Sequence, residues 1–224
     1  MKIIEFNGVD HVFPDGTKPL QNISLSIEEG TLHFIVGPSG SGKTTLLNLL
    51  LGLYQPAVGE IWVNKCNICV LSERQLTLYR QHLGAIFQQN NLIPHRTVFE
   101  NVAMPLWLRG TERKEVHQSV VSVLSEVGLR GFEDVLPLHL SSGDQQRVAI
   151  ARALITRPRI IVADEPTGNL DRQLAGSVTE ILKLQTTLRV TVIMVSHDEE
   201  LTRYADTTSR LAPAPNALGT STLT

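Results

Sequence analysis

The chain has 224 residues, 42% hydrophobic and only 5% aromatic, so it can form one large domain, or one domain with a smaller lobe, whose core is mainly aliphatic. A formal net charge of −2 gives no electrostatic reason to expect a nucleic-acid partner. No run approaches 18 consecutive apolar residues and the N-terminus does not read as a secretory signal. We therefore expect a soluble, cytosolic chain that acts at a membrane only through a partner.

The first 30 residues are predicted to form antiparallel β structure. Two segments with strand-like apolar spacing, "KIIEFNGVDHVF" and "NISLSI", flank the turn residues of Pro14–Pro19. Gly59–Asn64 ("GEIWVN") is predicted to be another edge strand. Nearby, Cys66 and Cys69 are the only cysteines. Because zinc needs four ligands and a redox dithiol would lack the thioredoxin context, we interpret them as packing residues of a surface β segment.

Between these β segments lies "GPSGSGKTT", which fits G-x-x-x-x-G-K-[ST]. Leu32–Val36 before it is an apolar strand, and the leucine-rich Thr44–Leu53 after it favours a helix. The glycines let backbone N–H groups point inward, and the helix N-terminus adds positive charge. A chance glycine loop is the alternative, but both flanks fit a nucleoside triphosphate site. Lys43 is expected at the β- and γ-phosphates and the Thr44 hydroxyl on Mg²⁺. The loop residues are Gly37, Pro38, Ser39, Gly40, Ser41, Gly42, Lys43, Thr44 and Thr45.

The middle of the chain is predicted to be largely helical. From about Ser72 the pattern is helical, with one short strand at Gly84–Phe87, and residues 97–127 carry apolar residues at helical spacing. Pro105 is expected to kink or start a helix, and Gly128 to cap the end of the second helical stretch. The stretch of roughly 90–157 is therefore predicted to be a helical lobe inserted into a sheet domain.

Two adjacent carboxylates, Asp164 and Glu165, follow the predicted buried strand Arg159–Ala163. Ligands of open α/β sheets bind at the carboxyl ends of strands, so Asp164 is expected to hold Mg²⁺ through water. Glu165 is expected to accept a proton from the attacking water or to orient it. A capping pair is the structural alternative. His197 follows the strand Val190–Val195 and is expected at the same edge, near the γ-phosphate.

A second anion site is predicted at the start of another helix. Ser141, Ser142 and Gly143 place small residues with free N–H groups ahead of "DQQRVAIARAL". The chain then has two phosphate-binding helix starts but one pair of catalytic carboxylates. The simplest resolution is a head-to-tail dimer in which this second site binds the nucleotide of the other copy.

Alternating helices and continuous apolar strands predict an α/β fold with a parallel sheet covered on both faces. Over about residues 1–205 the motifs resemble the ATP-binding subunit of ABC transporters. That resemblance implies the ABC ATPase fold: a P-loop NTPase (RecA-like) mixed sheet core with an antiparallel β subdomain and an inserted α-helical subdomain. Within a single domain 1–224, the β subdomain would be 1–30 and 57–70, the nucleotide-binding core 31–56 and 158–206, the helical subdomain 90–157, and the loose tail 212–224.

The same resemblance implies residue roles that spacing does not give. Phe13 would stack on adenine, and Gln88 would touch Mg²⁺ and the water and link the nucleotide to a membrane partner. The signature loop, Leu140–Asp144, would act on the other copy's ATP, and Asp171 would join the two sites. The signature departs from the usual L-S-G-G-[QE], because Ser142 replaces a glycine and Asp144 a glutamine or glutamate. We therefore expect ATP hydrolysis with a slower turnover.

Within the family, "ADEPTGNLD" and "FQQNNLIPHRTVFENVAMPLWLRG" resemble the FtsE, LolD and MacB branch, and the segment "RTVFENVAMPL" most resembles the cell-division ATPase FtsE. This implies a Mg²⁺-dependent ATPase that forms a homodimer with ATP, on the cytoplasmic face of the inner membrane, with an FtsX-like permease partner. LolD- or MacB-like lipoprotein release or export is a close alternative. A P-loop kinase would leave the signature unused. A soluble ABC ATPase acting on DNA or ribosomes would usually carry a coiled-coil insert or two ATPase units.

Overall fold

The computed structural model describes residues 1–212; the predicted loose tail 212–224 lies outside the described residues except for Ala212. In chain order the strands are β1 (Lys2–His11), β2 (Leu20–Glu28), β3 (Leu32–Val36), β4 (Val58–Val63), β5 (Cys66–Asn67), β6 (Leu83–Ile86), β7 (Ile160–Asp164), β8 (Thr191–Ser196) and β9 (Thr207–Arg210). The α-helices are α1 (Lys43–Leu50), α2 (Glu73–Gln81), α3 (Val98–Leu108), α4 (Arg113–Glu126), α5 (Ser142–Leu154) and α6 (Arg172–Thr186). Short 3₁₀ helices cover Ile68–Val70, Pro137–His139 and Glu199–Tyr204.

The antiparallel β structure predicted for the N-terminal region is confirmed, with strand order β2-β1-β4-β5. Buried residues alternate with exposed ones along β2, as expected for a sheet with one face in the core. The prediction that β4 is an edge strand is wrong. Asn64 and Lys65 adopt φ angles of 47° and 65°, which turn the chain so that Cys66 pairs with Val63. The two-residue β5 therefore forms the edge.

The second sheet is parallel throughout, in the order β6-β7-β8-β3-β9. Its faces are covered by different layers. Phe34 of β3 packs into a core shared with α3–α6, whereas Ile35 packs into a core shared with α1 and the antiparallel sheet. The predicted parallel sheet with two covered faces is confirmed. Sequence reasoning did not anticipate β9, which pairs with β3.

Between β6 and β7 the chain forms α3, α4 and α5. Gly128 (φ 77°) donates its N–H to Ser125 O at 3.1 Å, and the next N–H bonds to Leu124 O at 2.7 Å. This Schellman arrangement confirms the predicted role of Gly128. Pro105 does not start a helix, because a capping box between Thr97 and Glu100 already begins α3 upstream. No helix in residues 1–212 is both long and apolar enough to span a membrane.

Candidate functional site

The parallel sheet brings the ends of several strands to one edge. Val36 of β3 pairs with Ser196 of β8, and Asp164 of β7 pairs with Val195, so the loops after these strands begin side by side. The loop after β6, which carries Gln88, begins at the same edge. A cleft of about 400 Å³ opens there. It is lined by Phe13, Thr17, Pro19, Ser39, Gly40, Gly42, Lys43, Thr44, Thr45, Gln88 and Glu165.

The loop between β3 and α1 requires glycine at particular positions. Gly40 and Gly42 have φ angles of 77° and 89°, a region that residues with a Cβ rarely adopt. A Cβ on Gly42 would also lie 2.7 Å from the carbonyl oxygen of Pro19, and one on Gly37 would lie 2.4 Å from that of Leu211. The close approach of these backbones fixes the shape of the loop.

Lys43 is the cation at the centre of this loop. It is only 5% exposed, and its Nζ donates hydrogen bonds of 2.8 Å to the carbonyl oxygens of Gly37 and Pro38. Burial lowers the pKa of Lys43, while the carboxylates of Glu165 and Asp164 oppose that shift. A charged amine enclosed by a loop of this shape fits the phosphates of a nucleotide.

The other loop residues divide into exposed and buried ones. Pro38, Ser39 and Gly40 are exposed, whereas Ser41 and Thr45 are buried. The exposed residues are therefore available to a ligand, and the buried ones anchor the loop to the domain.

The side chains of Thr44 and Asp164 place two oxygen atoms, each a suitable metal ligand, next to one another beside the loop. The Thr44 hydroxyl donates to Asp164 Oδ1 at 3.3 Å. Burial raises the pKa of Asp164, and the Thr44 hydrogen bond and the Lys43 charge moderate that shift. A hydroxyl and a carboxylate are ligands that suit Mg²⁺ when phosphate oxygens and water complete the shell. In residues 1–212 no cluster of three or more His, Cys, Asp and Glu residues forms a metal site, at Cys66 and Cys69 or elsewhere.

Glu165, His197 and Gln88 meet in the cleft. One carboxylate oxygen of Glu165, Oε2, lies 3.1 Å from His197 Nδ1 and accepts a 3.5 Å hydrogen bond from Gln88 Nε2. Glu165 has a φ of 44°, and this backbone is held by bonds from its N–H to Val195 O and from Gly168 N–H to its own carbonyl. Left-handed backbone at a residue with a side chain costs energy and is frequent at active sites.

Phe13 also lines the cleft, and it contacts two aromatic rings that sequence reasoning missed. Its ring meets the His11 ring edge-on at 4.9 Å and the Tyr54 ring at 5.9 Å, while His11 stacks on Tyr54 at 5.2 Å. His11 is buried, and its Nδ1 lies 3.1 Å from Gln55 O. Two-residue spacing places His11 and Phe13 on one side of an extended chain, and that spacing is the signal that could have identified His11.

The loop after β6 is held by Arg152 and Asn101, whose roles the sequence did not reveal. The half-buried Arg152, on α5, donates from its guanidinium to Asn90 O at 2.6 Å and to Asn91 O at 2.8 Å. The fully buried Asn101 bonds to both the N–H and the carbonyl of Ile93. The sequence gives no local signal for Arg152, because the groups that it binds are backbone carbonyls, which every residue carries.

The signature residues and Asp171 do not line the cleft in the described part of the chain. Ser141 and Ser142 are exposed at the start of α5, and Gly143 is buried against Leu174, whose Cδ1 would be 3.1 Å from an added Cβ. Asp171 caps α6, its Oδ1 accepting 2.9 Å bonds from the N–H groups of Gln173 and Leu174. One copy of the chain therefore holds two separate groups of predicted site residues.

The chain is similar to known proteins in both sequence and fold. Residues 20–168 match the sequence profile of the family described as ABC transporter. The cell division ATP-binding protein FtsE of Escherichia coli (strain K12) is 38% identical over 199 residues, covering 89% of this chain and 90% of that protein. The ABC transporter ATP-binding protein YtrE of Bacillus subtilis (strain 168) is 42% identical over 208 residues, with the same coverage. A dimeric structure of the ATP-binding cassette MJ0796, described as a post-hydrolysis state bound to ADP and Pi, has a TM-score of 0.85 at 34% identity and covers 94% of each chain.

Proposed function

Because this chain belongs to the ABC transporter family and is an ATPase with the ABC ATPase fold, we propose that it is the FtsE-like subunit that powers a membrane protein complex. The observation that carries the proposal is the separation of its site residues. Lys43 and Glu165 line one cleft, whereas Ser141 and Gly143 lie outside it. Membership of this family also removes the support for a P-loop kinase.

In the proposed reaction, water attacks the γ-phosphate of ATP, the bond to ADP breaks and inorganic phosphate leaves. Lys43 and the loop N–H groups bind the phosphates, and Phe13 stacks on the adenine. Mg²⁺, held by Thr44 and Asp164, would supply charge neutralisation at the phosphates. Glu165 accepts a proton from the attacking water. His197 and Gln88, both in contact with Glu165 Oε2, orient its carboxylate.

We propose that each reaction centre is completed by a second copy. Ser141 and Gly143 would bind the γ-phosphate held by the other copy's Lys43, and Asp171 would lie between the two sites. A shared nucleotide joins the copies, and hydrolysis lets them separate. The dimeric structure described for MJ0796 supports this arrangement.

A mixing experiment tests the shared centre. Lys43→Ala and Ser141→Ala are each expected to be inactive alone. In an equal mixture, half of the dimers would be mixed and each of those would have one intact centre, so about a quarter of wild-type activity should return. Recovery of no activity, with both variants folded and dimerisation-competent, would exclude the head-to-tail dimer.

The proposed membrane partner docks in a groove of about 400 Å³ between α2, β6, α3 and α5. The groove lining is largely apolar and includes Met104, Pro105 and Leu108, and Leu108 is 76% exposed. The same groove is bordered by Arg152, which binds the loop carrying Gln88. A partner segment seated there would contact Arg152, which holds the loop that carries Gln88. Gln88 in turn is hydrogen-bonded to Glu165. This arrangement would place the chain on the cytoplasmic face of the membrane.

The partner is proposed to be FtsX-like, on the basis of the similarity to FtsE. A LolD- or MacB-like transporter is the second candidate. The similarity to YtrE, which is named as an ABC transporter protein, supports a function in transport. Identification of the membrane protein that copurifies with the full chain distinguishes them. A four-span protein with a large extracytoplasmic loop supports the FtsX-like proposal, whereas a lipoprotein-release or export permease contradicts it.

A further inference from the structure

We propose that the carboxylate of Asp144 competes with the γ-phosphate of the other copy's ATP for the Ser141 hydroxyl, and so limits ATP-driven dimerisation in this chain. The inference rests on the proposed head-to-tail dimer. It concerns the departure "LSSGD", in which an aspartate stands where the family usually has glutamine or glutamate.

The contact between the two side chains is short. Ser141 Oγ donates its proton to Asp144 Oδ2 at 2.6 Å, and it accepts the N–H of Asp144 at 3.2 Å. A hydrogen bond from a hydroxyl to a carboxylate at this distance is charge-assisted and roughly twice as strong as a neutral one. The Ser141 hydroxyl has a single proton to donate, so it cannot serve Asp144 and a phosphate oxygen together.

Two other helices of the chain show what a longer side chain does at the same position. At the start of α2, Gln75 accepts the backbone N–H of Ser72 at 2.9 Å, although it also accepts the Ser72 hydroxyl. At the start of α3, Glu100 accepts the backbone N–H of Thr97 at 2.9 Å. Asp144 is one methylene shorter than these residues. Its carboxylate accepts the Ser141 hydroxyl, and α5 begins without the reciprocal capping box that begins α2 and α3. The usual longer residue would give the N-cap backbone a partner of its own.

The charge of Asp144 adds to the competition. It lies in the first turn of α5, where the helix dipole stabilises an anion. Among the described residues, no cation lies within ion-pair distance of its carboxylate. The γ-phosphate would therefore approach the unneutralised carboxylate of Asp144. That carboxylate already accepts the Ser141 hydroxyl and lies in the same first turn of α5. Removing that charge should favour the nucleotide-bound dimer.

The test compares Asp144→Asn and Asp144→Gln with wild type, in a Glu165→Gln background where ATP is bound but slowly hydrolysed. Both substitutions should tighten ATP-driven dimerisation by about tenfold, measured by analytical ultracentrifugation across protein concentrations. Both should also lower the Tm slightly, because α5 loses a first-turn anion. A purely structural role of Asp144 predicts that stability and dimerisation fall together.

Matched variants make the outcomes distinguishable. Glu100→Gln removes the same charge from the corresponding position of α3, so it should lower the Tm without changing dimerisation. Ser141→Ala should weaken dimerisation and abolish the gain from Asp144→Asn. If Ser141→Ala weakens the dimer but neither Asp144 variant tightens it, the competition is refuted and the proposed function stands. If Ser141→Ala has no effect on dimerisation or hydrolysis, the proposed dimer itself is refuted.

Discussion

Replacing Glu165 by glutamine is the most direct perturbation of the proposed chemistry. The amide has nearly the size of the carboxylate, and its oxygen still accepts a hydrogen bond from Gln88 or from the His197 ring. It cannot take a proton from water. Loss of a general base typically costs ~10²–10⁴ in rate, which corresponds to about 3–5 kcal/mol in the activation barrier. We expect phosphate release to fall by this factor at saturating ATP and Mg²⁺.

The same substitution should leave nucleotide binding intact or strengthen it. Glu165 lines the cleft near Lys43, so removing its negative charge removes repulsion toward the ATP phosphates. ATP affinity is measured by calorimetry and dimer formation by size-exclusion chromatography. Glu180→Gln makes the same chemical change on the exposed face of α6 and should alter neither quantity. Phosphate release within tenfold of wild type would show that Glu165 is not the general base.

Two further predictions concern stability and the loop that carries Gln88. Burial lowers the pKa of His33 from 6.5 to about 4, so the unfolded state binds more protons between these pH values and stability falls as pH falls. Chemical denaturation at each pH should show that the free energy of unfolding falls by about 3 kcal/mol across this window. In His33→Gln this pH dependence should be much weaker. An unchanged pH dependence in the variant rules out His33 as the cause. Arg152→Met removes both hydrogen bonds to the Asn90 and Asn91 carbonyls while keeping a long side chain, so hydrogen exchange of residues 88–94 should accelerate at least severalfold while ATPase activity falls. Unchanged exchange in that loop would mean that the arginine does not hold it.

Much of the fold followed from local patterns. The apolar runs at β3, β7 and β8 predicted buried strands, and the parallel sheet was deduced from their alternation with helices. The edge assignment of β4 failed because a two-residue turn at Asn64 and Lys65 carries few sequence signals without a glycine. The strand β9 was missed because its residues are mostly exposed and polar, and only pairing with β3 makes them a strand.

The candidate site divides in the same way. Its phosphate loop and adjacent carboxylates could be predicted because their chemistry depends on residues close together in sequence. Two other features could not be predicted: the contact of the Phe13 ring with Tyr54 and the hydrogen bond from Arg152 to Asn90. In each case the two partners are distant in sequence.

Short-range spacing and strand ends were enough to identify the nucleotide loop, the acid pair after β7 and the family of the protein. The folded chain was needed to show that His197 and Gln88 both contact one carboxylate oxygen of Glu165, whereas Ser141 is bound to Asp144 outside the cleft. The physical reason is that sheet register and helix packing, which arise from contacts across the whole chain, set which side chains lie within hydrogen-bonding distance.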